Sequence, residues 1–141
     1  FILPADSQLK VIEKGAFYRS SIQHIALPAC FEEVGEMAFF GCEALAVVTF
    51  GNETEGSALR KLGGAGFAYC KGLGEMRIYK DVKTAADVPE IELYTVATTT
   101  ENVSYNIFAG GATPKLYVRS AEIYRGAKNW NEYDNKIFEL A

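Results

Sequence analysis

The order of apolar and polar positions along the chain repeats itself. Leu9-Lys-Val-Ile-Glu-Lys-Gly-Ala-Phe17 returns as Phe31-Glu-Glu-Val-Gly-Glu-Met-Ala-Phe39, and again as Leu59-Arg-Lys-Leu-Gly-Gly-Ala-Gly-Phe67. Three positions after each phenylalanine stands a small residue or cysteine: Ser20, Cys42 and Cys70. An apolar triplet spaced L-x-x-L-x-L follows, as Ile22, Ile25, Leu27, then Leu45, Val48, Phe50, then Leu73, Met76, Ile78. Such a stretch predicts a short strand whose leucine-type positions point inward while the residues between them face solvent. Phe17 and Phe39 are 22 residues apart, and Phe39 and Phe67 are 28 apart. The six extra positions coincide with Gly51-Asn-Glu-Thr-Glu-Gly-Ser57, a polar, glycine-rich run that reads as a loop insertion. A degenerate fourth copy is marked by Phe108, with Leu116-Tyr117-Val118 as its strand. The 41 residues from Phe67 to Phe108 hold a longer insertion, in which Ile91-Glu-Leu-Tyr-Thr-Val96 alternates as one extra strand.

A unit of roughly 20–29 residues cannot bury its own apolar face and must stack on its neighbours. The strands of successive copies then pair in parallel, about 4.8 Å apart. The G-x-A-F segments turn the chain on the opposite side, and their phenylalanines form a stacked aromatic column in the core. Small residues before each phenylalanine let neighbouring turns approach closely. An amphipathic-helix reading fails, because the apolar pattern also recurs at 22–28 residues. The sequence opens with Phe1-Ile2-Leu3-Pro4, which matches Ile25-Ala26-Leu27-Pro28, so further repeats are expected upstream.

These residues resemble the BspA-like leucine-rich repeat family of bacterial surface proteins. The family pattern of an I-x-I-P strand end, V-x-x-I-G, A-F-x-x-C and L-x-x-I is carried by Ile25-Ala-Leu-Pro28, Val34-Gly35, Ala38-Phe39-Phe-Gly-Cys42 and Leu45-Ala-Val-Val48. The likeness covers residues 1–79 well and 103–141 less closely; Leu116-Tyr-Val118, Ile123-Tyr124 and Trp130 are similar to the family's usual ending. Departures are Ser20 in place of cysteine, Gly66 for alanine, Arg119 for proline, and the insertions at 51–57 and 80–102. The resemblance implies a place on the cell surface or in secretion, and adhesion or contact with host proteins.

The expected fold is α/β: a right-handed leucine-rich repeat solenoid, with a short parallel β-sheet on one face, turns and short helical segments on the other, and a C-terminal cap. It forms a single domain over 1–141, with repeats over 1–119 and the cap over 120–141. Ser120 reads as a helix N-cap before Ala121-Glu122-Ile123-Tyr124, and Ile123, Ala127 and Trp130 fall on one helical face. Such a helix covers the apolar end that a last repeat exposes.

Composition narrows the function. With 141 residues, 49% apolar and 23% charged, the chain has the makings of one ordinary globular domain and not of a disordered one. Its net charge of −4, without a basic cluster, argues against nucleic acid. No apolar run approaches the ~20 residues of a membrane span.

Catalytic and cofactor chemistry finds little purchase, and no cofactor is expected. Three cysteines (Cys30, Cys42, Cys70) and His24 nominally make a Cys3His set, but structural zinc sites bring ligands in close pairs and none exist here. Cys42 and Cys70 occupy one position of adjacent repeats and are expected as inward-pointing free thiols, although neighbouring strands lie within disulfide range. His24 is on a solvent-facing strand position, and there is no G-x-S-x-G elbow to go with it. Gly63-Gly64-Ala65-Gly66 lacks the continuation of a phosphate loop and fits a repeat turn. Glu32-Glu33 reads as a solvated loop pair. The sequons at Asn52 and Asn102 fall in expected loops.

What remains is the sheet face. Its solvent-pointing positions form two rows across the repeats: His24, Val47, Glu75, Lys115, and Ile2, Ala26, Thr49, Arg77, Tyr117. Repeat proteins generally bind through such extended concave surfaces. Glu75, Arg77, Lys115 and Tyr117 make the C-terminal side charged and aromatic, and Tyr and Arg are enriched among interface hot spots. His24, Val47, Thr49, Glu75, Arg77, Lys115 and Tyr117 are therefore the candidate surface for a protein or glycan ligand in a non-catalytic binding module. The competing reading is a structural spacer with no ligand of its own; an enzyme ranks third, since it would need a deep pocket at His24 or paired carboxylates.

Overall fold

The computed structural model describes residues 3–4, 6–96 and 104–140. In chain order its strands are β1 (Val11–Ile12), β2 (His24–Leu27), β3 (Glu33–Val34), β4 (Val47–Phe50), β5 (Lys61–Leu62), β6 (Glu75–Ile78), β7 (Glu90–Ile91), β8 (Tyr94–Val96), β9 (Ser104–Asn106), β10 (Lys115–Val118) and β11 (Ile137–Glu139). One α-helix, α1 (Ala121–Gly126), and two 3-10 segments, Ala85–Asp87 and Trp130–Lys136, complete it. It is an α/β repeat fold of mostly parallel strands and few helices.

Two parallel ladders run side by side. The longer has the order β11-β10-β6-β4-β2 and the shorter the order β1-β3-β5-β7. In the longer one, Ile25, Val48, Met76 and Leu116 share one rung, and Leu27, Phe50, Ile78 and Val118 share another. All eight are buried, while their neighbours face outward. Strand residues alternate between faces, so aligning these apolar positions sets the register of the whole ladder. In the shorter ladder Ile12, Val34, Leu62 and Ile91 point into the same core.

Between the ladders, each turn is bonded to the next one along. Phe17 N–H donates to Ala38 O at 2.8 Å and Phe39 N–H to Gly66 O at 2.9 Å. Arg19 N–H donates to Phe40 O at 2.7 Å and Gly41 N–H to Ala68 O at 2.8 Å. Backbone groups that would be orphaned on a lone turn are thus satisfied by its neighbour. The expected aromatic column is present: Phe17 stacks on Phe39 at 5.2 Å between ring centroids, Phe39 on Phe67 at 5.3 Å, and Phe67 on Phe108 at 6.3 Å. The close approach depends on glycine where the short ladder ends. A Cβ on Gly35 would lie 2.7 Å from Lys14 N, and one on Gly63 would lie 2.7 Å from Glu36 N.

Several expectations need correction. Glu33 is not in a loop but in β3, and two-residue strands rather than helical segments line that side. Ile91–Val96 is not one strand. Glu90–Ile91 completes the short parallel ladder, whereas Tyr94–Val96 pairs antiparallel with Ser104–Asn106. In the tail, α1 stops at Gly126, so Ile123, Ala127 and Trp130 do not share one helix: Ala127 is extended and Trp130 opens a 3-10 segment. Ser120 precedes α1 with a left-handed backbone (φ 62°) and its side chain makes no cap bond. The Glu139 carboxylate accepts from Ser120 N–H at 3.0 Å and Ala121 N–H at 2.8 Å instead. The tail also contributes a strand, β11, paired parallel to β10. Ile2 of the second surface row and the Asn102 sequon lie outside the described residues.

Candidate ligand-binding face

The register brings the expected surface residues together as two rows. His24, Val47, Glu75 and Lys115 are rung partners, as are Ala26, Thr49, Arg77 and Tyr117. Alternation along each strand is what places them outside, opposite the buried positions. The N-terminal half of this face is bland: His24 and Ala26 are exposed and Val47 and Thr49 half-buried.

The C-terminal half is organised by Arg77. Its Nε contacts the Glu75 carboxylate two residues away on the same face, and its guanidinium lies 5.3 Å from the centre of the Tyr117 ring. The Glu75 carboxylate, then the Tyr79 phenol, raise the proton affinity of the Arg77 guanidinium above its ordinary value. Tyr117 in turn meets the Phe138 ring at 5.7 Å. Phe138 is 37% exposed and extends the row onto β11. Sequence reasoning misses it because the tail reads as a helical cap. The run Ile137-Phe138-Glu139 carries no alternating signal: it reads apolar, apolar, polar, and only Ile137 is buried while Phe138 and Glu139 are out. Lys115 is exposed and makes no ion pair among the described residues.

A second anchor borders this face. Arg119 donates to Asp81 at 3.0 Å and to Glu53 O at 2.7 Å, and lies 5.4 Å from the Tyr79 ring centre. It thereby ties the 51–57 loop to the segment after β6. The arginine that replaces the family's proline at this position has a structural use.

The two buried thiols serve packing. Cys42 Sγ donates to Phe17 O and Cys70 Sγ to Phe39 O, each at 3.0 Å, so both thiols point inward and bond the turn of the preceding repeat. The adjacent Cys42 thiol and burial push the Cys70 thiol far above the ordinary thiol range. His24 is on the outward row, away from both. Glu32 and Glu33 hold Arg60 at 3.3 and 3.2 Å. Among the described residues no group of three His, Cys, Asp or Glu side chains could hold a metal ion, and no helix is long and apolar enough to cross a membrane.

A family model described as the BspA type leucine rich repeat region, in six copies, matches residues 3–89. The chain belongs to the BspA-type leucine-rich repeat family. No curated protein matches it. The matched stretch carries β1 to β6 and the first three rings of the phenylalanine column. It leaves outside it the tail, 103–141, where Tyr117 and Phe138 stand. The BspA-type part therefore supplies Arg77 and the N-terminal rows, and the aromatic end of the face comes from residues beyond the match.

Proposed function

We propose that this BspA-type segment is a non-catalytic binding module. It engages a protein or glycan ligand through the solvent face of the long ladder, at His24, Val47, Thr49, Glu75, Arg77, Lys115 and Tyr117, with Phe138 added. In this reading the repeats form a right-handed solenoid of one domain, closed at its C-terminal end by residues 120–141. The parent protein is on a bacterial surface or secreted, and the module serves adhesion.

The observation that supports it is the continuous row Arg77–Tyr117–Phe138, where a cation and two partly exposed rings lie in contact on a rigid sheet. Large, pre-ordered aromatic and arginine side chains bind with little entropy loss. The test is an array of glycans and host proteins probed with the wild type and with Arg77→Ala/Tyr117→Ala. A ligand bound by the wild type and lost in the double variant supports this face. Binding unchanged in the double variant removes it, and an array without any ligand favours the spacer reading.

A further inference from the structure

A second row of aromatic residues lies on the turn side of the fold, away from the long ladder. Tyr18 stacks on Phe40 at 5.3 Å, and Phe40 meets Tyr69 at 5.2 Å and Tyr105 at 5.4 Å. Phe40 forms a nearly buried floor, whereas Tyr18 is 48% and Tyr69 37% exposed. The rings line a depression of about 410 Å³ whose rim carries Arg19, Lys71 and Glu43.

The backbone here is unusual in a way that singles out the same residues. The position two after each column phenylalanine is left-handed in all four repeats: Arg19 (φ 57°), Gly41 (φ 74°), Tyr69 (φ 59°) and Gly110 (φ 77°). Glycine adopts this region freely, while a side chain there costs roughly 1–2 kcal/mol. Two sister repeats use glycine, and the other two hold a cation and a tyrosine. Each glycine is also the seat of the side chain before it. A Cβ on Gly41 would lie 3.0 Å from Arg19 Cγ, and one on Gly110 would overlap the Tyr69 ring. The glycines therefore give room for Arg19 and Tyr69 to lie flat over the next turn. The left-handed backbone is thus held, against its cost, at two side chains that stay open to solvent: Arg19 is exposed and Tyr69 is 37% exposed.

We propose that this depression binds a saccharide bearing a carboxylate. A pyranose ring has an apolar C–H face bordered by hydroxyls, the complement of an aromatic floor bordered by phenol hydroxyls. The volume falls in the range of small-ligand sites, whereas a protein partner would need about 800 Å² of surface on this side. Charge selects the acid. On a chain of net charge −4, the rim places two cations against one carboxylate. Neither Arg19 nor Lys71 makes an ion pair among the described residues. Arg19 is held over the Tyr18 ring at 5.8 Å, ready for a bidentate contact with a carboxylate.

The site is independent of the sheet face, and its test keeps the two apart. Titration calorimetry would use oligogalacturonate and sialyllactose, with lactose as the neutral control and poly-glutamate as the acidic-peptide control. At least one acidic sugar is expected to bind, and to weaken as salt is raised. Arg19→Gly places in this repeat the residue two sister repeats already use, so the melting temperature should hold while affinity falls at least about tenfold. Tyr69→Gly should lose affinity by as much, measured where circular dichroism shows the variant folded. The exposed Lys71→Glu gives the same loss without touching the backbone. Acidic-sugar binding lost in Arg77→Ala/Tyr117→Ala but kept in Lys71→Glu would assign the sugar to the sheet face and overturn the proposal. Equal binding of lactose, no binding of either acidic sugar, tighter binding of poly-glutamate, or full affinity in Tyr69→Gly or Lys71→Glu would each overturn the proposal.

Discussion

Phe39 lies against Phe67 with ring centroids 5.3 Å apart and planes 5° from parallel. The two rings come from equivalent positions of neighbouring repeats, and both are buried. Phe39 also stacks on Phe17 at 5.2 Å, so it is packed from both sides along the column. Removing it opens a cavity that stiff parallel ladders on either side cannot collapse. Phe39→Ala should lower the unfolding free energy by about 3–5 kcal/mol, and Phe39→Leu by less. Chemical denaturation checks this. A loss under 1 kcal/mol for the alanine variant would show that the column is incidental to stability.

Glycines divide by what a methyl group would meet. A Cβ on Gly35 would sit 2.7 Å from Lys14 N and 2.8 Å from Ile12 O, both backbone atoms of the previous repeat. Gly74 has nothing within 4 Å. Gly35→Ala must push two repeats apart and should cost about 1–3 kcal/mol, as overpacking does. Gly74→Ala should be neutral or gain up to about 1 kcal/mol by restricting the unfolded chain. Melting curves of the two variants should move in opposite directions or at least differ clearly.

The long ladder and the phenylalanine column are legible in the sequence because a period-two pattern inside a period near 22–28 admits only one register. The rung His24–Val47–Glu75–Lys115 follows directly from that alignment. The short ladder is not legible, because strands as brief as Val11–Ile12 contain one buried residue and no alternation to read. Ile91–Val96 misleads for the opposite reason: its alternation is continuous, but the chain changes partners after Ile91, from β5 to the antiparallel β9. Of the candidate face, Arg77 and Tyr117 are found from strand position alone. Phe138 escapes because its strand forms only after α1 and a 3-10 segment have carried the chain back beside β10. The turn-side row escapes because nothing in Arg19 or Tyr69 as residue types announces a left-handed backbone.

The thiols should separate by accessibility and proton affinity. Cys30 is partly exposed, while Cys42 and Cys70 are buried and donate to carbonyls of the previous turn. A thiol-reactive probe at neutral pH should label Cys30 first and the other two only on unfolding. The Cys70 thiol keeps its proton in the folded state to a far higher pH than in the unfolded chain, because of the neighbouring thiol and burial. Its contribution to stability is therefore fully present below the ordinary thiol pKa of about 8.5 and declines as pH rises above it. Cys70→Ala should flatten the alkaline side of the stability curve. An unchanged slope would mean that the fall from Cys70 is cancelled by Cys42, whose thiol the same hydrogen bond holds lower and which contributes in the opposite sense.

At the start of α1, a distant carboxylate does the work that sequence reasoning assigns to a serine. Ser120 stands at the N-cap position, yet with φ 62° its hydroxyl makes no cap bond, and Glu139 on β11 reaches across to both Ser120 N–H and Ala121 N–H. A carboxylate there also meets the positive end of the helix backbone. If Ser120 were the cap, Ser120→Gly would cost a few tenths of a kcal/mol and Ser120→Ala about 1. With the left-handed backbone, Ser120→Gly relieves about 1–2 kcal/mol of strain and gives back about 0.4–1 through the freer unfolded chain, so it should be neutral or stabilise by up to about 1 kcal/mol. Glu139→Gln keeps the shape but weakens both bonds, and should cost about 1 kcal/mol. Hydrogen exchange of the Ser120 and Ala121 amides, faster in Glu139→Gln and unaltered in Ser120→Ala, would establish the carboxylate as the cap. The reverse pattern would return that role to the serine.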